Sequence, residues 1–308
     1  MKILVTGATG FIGSFIVSEL LKRGDDVLVF DIKPAPESTT EHQNKEIIWS
    51  EGDIRDYDQV WDSVSTHKPE VIINMAGLLQ FGCMEDPRMA IEVNVVGFSN
   101  ILEAARTNQV RRVVTASSAA VYGGRQEPPL ETSMISPGVT LYGGTKFLNE
   151  ILSRQYKEKY GLEVTNLRYY GVYGPGEVKS PGMAKVIKDI ESIVTGKDVV
   201  VDVIQATDRT HLIYVTDAAH ATVLAATVPG PLSLTYSIAG VPADFVTFGE
   251  MVACLKKIHP ESGRVVFKGK GPPRGWYTDS MLAEKELGFK PRYTMESGLR
   301  ETTKHLIK

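Results

Sequence analysis

With 308 residues, 43% of them hydrophobic and 23% charged, the sequence has the composition of a folded globular protein, which excludes a fully disordered chain. That length suits one large domain or two fused ones. Thirty-four basic against 37 acidic residues leave a formal net charge of −3, so nothing points to a nucleic acid or an anionic membrane surface as the main partner.

The chain opens with a short apolar run at 3–6 that reads as a strand and leads into a helical pattern at 11–22. Further strands are expected at 26–30, 47–49, 71–74, 112–115 and 164–167, and further helices at 57–65, 88–106 and 141–160. A polar stretch at 33–44 with two prolines reads as an exposed loop. Most of the strands are apolar without alternation, as in a sheet covered on both faces. Strand–helix alternation of this length builds right-handed βαβ units, so the expected fold is α/β with a doubly wound parallel (Rossmann) sheet. After residue 174 the regularity breaks, and Gly and Pro cluster at 171–182, 229–242 and 269–275. Short helices are expected at 182–195, 217–227, 248–257, 280–287 and 296–306. The division expected is a dinucleotide-binding domain over 1–175, to which some later segments return, and a smaller mixed α/β substrate lobe mainly over 176–308.

The cysteines, Cys83 and Cys254, form no CxxC unit and read as small apolar residues in a reducing compartment. The six histidines are scattered without metal-ligand spacing, so no metal is expected. No secretory leader pattern or apolar run of membrane-spanning length occurs, since 212–228 is interrupted by Asp217 and His220. A soluble, cytoplasmic protein is the expectation.

The first strand feeds into Gly7-Ala8-Thr9-Gly10-Phe11-Ile12-Gly13. Gly7 permits a tight turn, Gly10 lets backbone approach a pyrophosphate, and Gly13 lets the helix sit close to the sheet. The helix N-terminus adds unpaired N–H groups and positive dipole. Asp31 ends the second strand, where an acid accepts from an adenosine ribose and repels a 2′-phosphate, favouring NAD over NADP. Lys33 partly offsets that repulsion.

Tyr142 and Lys146 stand four residues apart on an expected helix and so share a face. A neighbouring cation stabilises phenolate and makes the tyrosine a usable acid/base. YxxxK alone is common by chance. Upstream, however, Ser117 and Ser118 fall at the carboxyl end of the fifth strand, where open α/β sheets bind ligands.

The ordered set of these motifs resembles the extended short-chain dehydrogenase/reductases, the NAD-dependent epimerase/dehydratase group. It comprises the glycine turn, Asp31, Gly52-Asp53-Ile54-Arg55-Asp56, Asn74-Met-Ala76-Gly77, Asn94, Ser117-Ser118-Ala-Ala-Val-Tyr-Gly, Tyr142-x-x-x-Lys146 and Leu167-Arg168-Tyr169-Tyr170-Gly171-Val172-Tyr-Gly-Pro175. The likeness covers residues 1–175 in order, with weaker echoes at 213–217 and 286–291. It implies Tyr142 as general acid/base, Lys146 on the nicotinamide ribose, and Ser118 on the reacting oxygen with Ser117 beside it. It also implies that Thr9, Phe11 and Ile12 join the glycines in the cradle. By the same resemblance Asp53 and Ile54 flank adenine, Ala76, Gly77 and Asn94 line the dinucleotide, and Tyr169, Gly171 and Val172 meet its nicotinamide end. Leu79, Gln80, Ser117, Arg209 and Tyr214 are the substrate candidates. The cofactor then carries the redox step while the protein supplies orientation and proton transfer. The helices at 88–106 and 141–160 are those this group pairs in a homodimer.

Two positions depart from the nucleotide-sugar pattern. Gly171 stands where asparagine is usual, and Arg209 precedes Tyr214 by five residues where an arginine usually precedes histidine by four. Both are similar to short-chain-type threonine dehydrogenases. Ala119 and Ala120 replace the acids a dehydratase needs to drive elimination. The expected activity is NAD-dependent hydride chemistry at a secondary carbinol, leaning to a nucleotide-sugar epimerase, with dehydrogenation of a small hydroxy compound as the alternative. A non-catalytic dinucleotide-binding module is the remote one, since Ser118, Tyr142 and Lys146 are all present.

Overall fold

A computed structural model describes residues 1–34, 47–123, 140–176, 181–202, 204–270, 275 and 277–307. The first part runs β1 (Lys2–Thr6), α1 (Phe11–Arg23), β2 (Asp26–Asp31), β3 (Ile48–Glu51), α2 (Tyr57–His67), β4 (Val71–Asn74), α3 (Gln80–Glu85), α4 (Pro87–Ile91), α5 (Phe98–Thr107), β5 (Arg112–Ser118), α6 (Leu141–Tyr160) and β6 (Glu163–Tyr169). It continues through β7 (Val172–Tyr173), α7 (Pro181–Val194), β8 (Val199–Val201), β9 (Arg209–Thr210), β10 (Ile213–Tyr214), α8 (Val215–Thr227) and β11 (Thr235–Ile238). The chain ends with β12 (Val246–Thr247), α9 (Phe248–Ile258), β13 (Val265–Phe267), α10 (Met281–Leu287) and α11 (Met295–Leu306). Most of the expected loop at 33–44 lies outside the described residues.

Seven strands make one sheet in the order β11-β6-β5-β4-β1-β2-β3, and every pairing in it is parallel. Successive side chains of β1 supply opposite faces. Ile3 and Val5 pack with α1 and α8, and Leu4 packs with α2 and α5. Two cores therefore sandwich the sheet, as the apolar strands required. β11 enters the sheet beside β6, so the later chain completes the first core. A separate cluster around Tyr173, Tyr214, Ile190, Met251, Leu255 and Leu299 holds α7, α9 and α11 together. No helix among the described residues is long and apolar enough to cross a membrane.

One expected element needs correction. The helix expected at 88–106 is α4 and α5 joined by a π-helical turn at Glu92–Gly97. At Gly97 a Cβ would come within 2.6 Å of Ile54 Cδ1, so the turn passes tightly over the strand-end loop. The wide turn also keeps Asn94 inward, 2% exposed, with both ends of its amide hydrogen-bonded. π turns of this kind re-aim one side chain within an otherwise α-helical segment.

The join between early and late chain is polar. Arg112 is 1% exposed and donates to the carbonyls of Ala225 at 3.0 Å and Val228 at 2.7 Å, and to that of Gly230. The last carbonyls of a helix have no intrahelical donors, and a cation there also suits the dipole. Arg112→Met keeps the bulk but strands these acceptors, and should lose about 3 kcal/mol in urea unfolding. A loss under about 1 kcal/mol would mean that the carbonyls find other donors.

Candidate active site

The glycine turn is built as the spacing demands. Gly7 has φ +63°, and a Cβ there would lie 2.6 Å from Ala76 N. At Gly13 a Cβ would lie 2.3 Å from the Gly7 carbonyl oxygen, so α1 could not approach β1 with any side chain present. Gly10 N-caps α1 in an extended conformation with no side-chain cap. The first N–H groups of α1, from Phe11, Ile12 and Gly13, therefore face outward without a side-chain partner, the arrangement that binds phosphate.

Asp31, 6% exposed, orders this cradle from β2. Its Oδ2 accepts from Thr9 N and Thr9 Oγ1, both at 3.0 Å, and its Oδ1 accepts from Lys33 N at 3.2 Å. An ionised carboxylate offers about four acceptor positions, so one is left for a ligand hydroxyl.

Polar groups knit the strand ends next to it. Thr6 Oγ1 donates to Asn74 Oδ1 at 2.6 Å, Asn74 Nδ2 donates to Thr115 Oγ1 at 3.2 Å, and Ala76 N donates to Thr6 Oγ1 at 3.3 Å. Beyond Ala76, a Cβ on Gly77 would lie 3.5 Å from Lys146 Nζ and 3.1 Å from Asn94 Oδ1. Asn94 holds the loop by accepting from Leu78 N at 2.7 Å and donating to Leu78 O at 3.0 Å. It also donates to Thr145 Oγ1 on α6 at 3.1 Å.

Tyr142 and Lys146 share one face of α6, with Lys146 Nζ 5.8 Å from the Tyr142 ring centroid and donating to Ala116 O at 2.8 Å. Burial pushes the Tyr142 phenol up to about 12, against a hydrogen bond with Ser118 that pulls it down. Burial also brings the Lys146 ammonium down to about 8. Ser118 ends β5, and its Oγ accepts from Ala120 N at 3.2 Å. Serine hydroxyl, phenol and ammonium thus converge at the carboxyl edge of the sheet. Proton transfer to and from a bound hydroxyl is the chemistry such a set can perform.

Other expected residues are placed differently. Ser117 points to the opposite face from Ser118, and its Oγ donates to Glu150 Oε1 at 2.6 Å. Asp53 is bound by Arg55 through N, Nε and Nη2 at 2.9, 2.8 and 2.6 Å, and these bonds hold its carboxyl below its usual value. Ile54, 5% exposed, belongs to the core beneath α5. The Tyr169 hydroxyl turns to Thr222 Oγ1 at 2.6 Å. The Gly171 carbonyl accepts from Ile213 N at 3.2 Å, and Val172 pairs with Ile213. Leu79 and Gln80 are exposed at the start of α3. Arg209 is exposed, donating to Phe245 O at 3.0 Å, with its guanidinium 5.2 Å from that ring. Tyr214 is instead buried against Tyr173 and Tyr293, with centroids 5.6 and 4.3 Å away. Arg209 and Tyr214 are therefore not a pair. The sequence reading did not single out Glu150, Thr145 or Cys83, which pack behind Tyr142 and Lys146. No motif marks them; only helical spacing from Lys146 could have suggested Glu150. Among the described residues no group of His, Cys, Asp and Glu is arranged to hold a metal ion.

Three comparisons with known proteins agree with this geometry. The family model described as NAD dependent epimerase/dehydratase family matches residues 3–239. Protein CapI of Staphylococcus aureus is 34% identical over 186 residues, 57% of this chain, and this alignment spans just 55% of that relative's length. UDP-glucose 4-epimerase of Thermotoga maritima, solved with UDP-glucose, superposes with a TM-score of 0.86 at 27% identity, covering 99% of this chain and 98% of its own. UDP-glucose 4-epimerase of Thermus thermophilus, solved with NAD, gives 0.84 at 26% identity and 99% of both chains.

The depressed lysine has a measurable consequence. Between about 8 and 10.5 the unfolded chain binds the Lys146 proton that the folded protein has released, so stability contributed by this site rises with pH. Below that window the buried charge costs about 3 kcal/mol. Lys146→Met should therefore be more stable than the parent at pH 7, with the gap closing toward pH 10, in denaturation of the cofactor-free protein. A gap that does not change with pH would contradict the buried cation.

Proposed function

The chain belongs to the NAD-dependent epimerase/dehydratase family, and from that premise we propose that it is a nucleotide-sugar 4-epimerase acting on a UDP-sugar. The observation that carries this reading is the convergence of Ser118, Tyr142 and Lys146 beside the glycine turn. The cofactor is NAD, and its fit is supported by the uncapped N-terminus of α1, brought against β1 by Gly7 and Gly13, and by the acceptor position left on Asp31. When bound, NAD supplies reversible two-electron redox chemistry at a carbinol carbon.

The chain's own residues supply the rest. The N-terminus of α1 holds the pyrophosphate, and Asp31 takes a ribose hydroxyl. Tyr142 Oη exchanges the carbinol proton while Ser118 Oγ donates to the same oxygen. Burial keeps Tyr142 protonated, the form that returns a proton, and the hydrogen bond with Ser118 favours the phenolate that removes one. Ala119 and Ala120 offer no acid or base for elimination, which supports epimerisation over dehydration. In this reading residues 1–175 carry the cofactor, 176–308 mainly the substrate, and Arg209 is the exposed cation available to a diphosphate. The free thiols of Cys83 and Cys254 suit a cytoplasmic location.

We further propose a homodimer built on α6 and the π-helical turn. Leu141, Leu148 and Ile151 stand 37%, 40% and 40% exposed on α6, with Val96 45%, Ile91 42% and Met84 62% exposed nearby on α3–α5. Gly144, on the same stretch of α6, has open space at its Cβ position and lets a second helix approach.

In the assay that tests the activity, a UDP-sugar panel should give epimer interconversion without stoichiometric NADH. Stoichiometric NADH with released ketone would assign a dehydrogenase instead. Tyr142→Phe should lower turnover by about 10²–10⁴-fold while NAD binding persists, and unchanged turnover would overturn the mechanism. Leu148→Glu with Ile151→Glu should convert a dimer to a monomer in sedimentation; a variant that stays dimeric would place the interface elsewhere.

A further inference from the structure

Behind the candidate acid/base lies a cluster of charge that touches none of the reacting groups. Glu150 and Arg168 are 5% and 1% exposed, and Arg168 Nη2 lies 2.6 Å from Glu150 Oε2. Glu150 Oε1 accepts from Arg168 Nε at 2.9 Å and from Ser117 Oγ at 2.6 Å. The two contacts form a fork, which fixes direction as well as distance. Ser117 and Arg168 are register partners across β5 and β6.

The cluster's position relative to the site is what gives it meaning. Glu150 is one helical turn beyond Lys146 and two beyond Tyr142, on the same side of α6. Ser117 immediately precedes Ser118. The Arg168 guanidinium also lies 4.8 Å from the ring centroid of Tyr122, which ends the short turn Ala119–Tyr122 that follows Ser118. The Tyr122 hydroxyl in turn meets Ser237 Oγ on β11 at 3.1 Å. Ser118 is therefore held from both sides by groups attached to one ion pair, and that pair is carried by the helix bearing Tyr142 and Lys146.

We propose that Ser117, Glu150 and Arg168 form a positioning clamp that sets the Ser118 hydroxyl against Tyr142 and Lys146. This rests on the roles given to those three residues above. A buried ion pair adds little net stability over apolar side chains of the same volume, because desolvation offsets the attraction. The backbone ladder fixes β6 against β5, whereas α6 meets them through side chains, and non-directional apolar packing sets its slide and rotation less sharply than a forked ion pair. Reacting groups lose about 100-fold in rate when displaced by about 1 Å, so such a clamp has a catalytic consequence without contacting substrate.

The test is the double variant Glu150→Met/Arg168→Met, which removes both charges and leaves neither unpaired. Its melting temperature should stay near that of the parent, while kcat falls about 100-fold with KM and NAD affinity little changed. The pH profile separates positioning from mere structure. The groups facing Tyr142 are Ser118 from β5, Lys146 from α6 and Cys83 from α3, and only the Ser118 hydrogen bond lowers the phenol. Loss of that contact should move the rising limb of the kcat profile to higher pH. Parental kcat and limb in the folded double variant overturn the proposal, as does a lower melting temperature with both unchanged. If the double variant does not fold, Ser117→Ala decides. It leaves the ion pair whole and should lower kcat about 10-fold with the same alkaline movement, and parental behaviour again overturns the clamp. Tyr142→Phe, run alongside, keeps the two readings apart: activity in that variant removes the underlying mechanism, and inactivity there with a fully active clamp variant removes only the clamp.

Discussion

Seven strands that all run in one direction must end along one edge, and each must leave that edge through a loop. Five of the seven end in Thr6, Asp31, Asn74, Ser118 and Tyr169, polar or aromatic residues that follow the apolar interiors of β1, β2 and β4 and the mixed ones of β5 and β6. Each carries a group that needs a partner, because the sheet is covered on both faces and little water reaches it. Thr6, Asn74 and Thr115 satisfy one another in a line across β1, β4 and β5. Asp31 satisfies the Thr9 backbone and hydroxyl. The cradle, the Asn94 turn and the α6 face are all consequences of arranging polar ends at a common edge.

The same burial that organises the edge puts it under electrostatic tension. Tyr142 is kept protonated and Lys146 is pressed toward neutrality, both chiefly because water is excluded. A site relaxed in its own interactions would have no reason to bind a charged, hydroxyl-rich ligand. Here the unbound protein holds a cation in a dry place and a helix N-terminus without a side-chain cap.

The parts of this arrangement readable from sequence were those fixed by backbone geometry. A glycine that must adopt φ +63° and another that must let a helix touch a strand leave a spacing no other residue satisfies. The short β-rich runs at 71–74 and 112–115 read as strands of a covered sheet, and Tyr142 and Lys146, four apart, share a helical face. What was not legible depended on where long side chains point after packing. Arg209 and Tyr214 looked like a pair by spacing, yet one lies on Phe245 at the surface and the other among buried tyrosines. Asp53 matched a motif, but its own neighbour Arg55 claims the carboxylate. The π-helical turn escaped because its cause, the close passage of Gly97 over Ile54, is a tertiary contact with no periodic trace.

The placement of β11 also bears on how the chain is made. Arg112 waits for carbonyls that lie 113 to 118 residues further along, and the core on the α1 side of the sheet includes residues as late as Phe289. While the nascent chain ends near residue 175, β6 presents an unpaired edge and the Arg112 guanidinium has none of these acceptors. An exposed parallel edge of that kind is a template for aggregation. Synthesis of the N-terminal half therefore does not release a finished folding unit from the ribosome. The seven-stranded sheet is complete only once residue 238 has emerged, and the core on its α1 side only once Phe289 has.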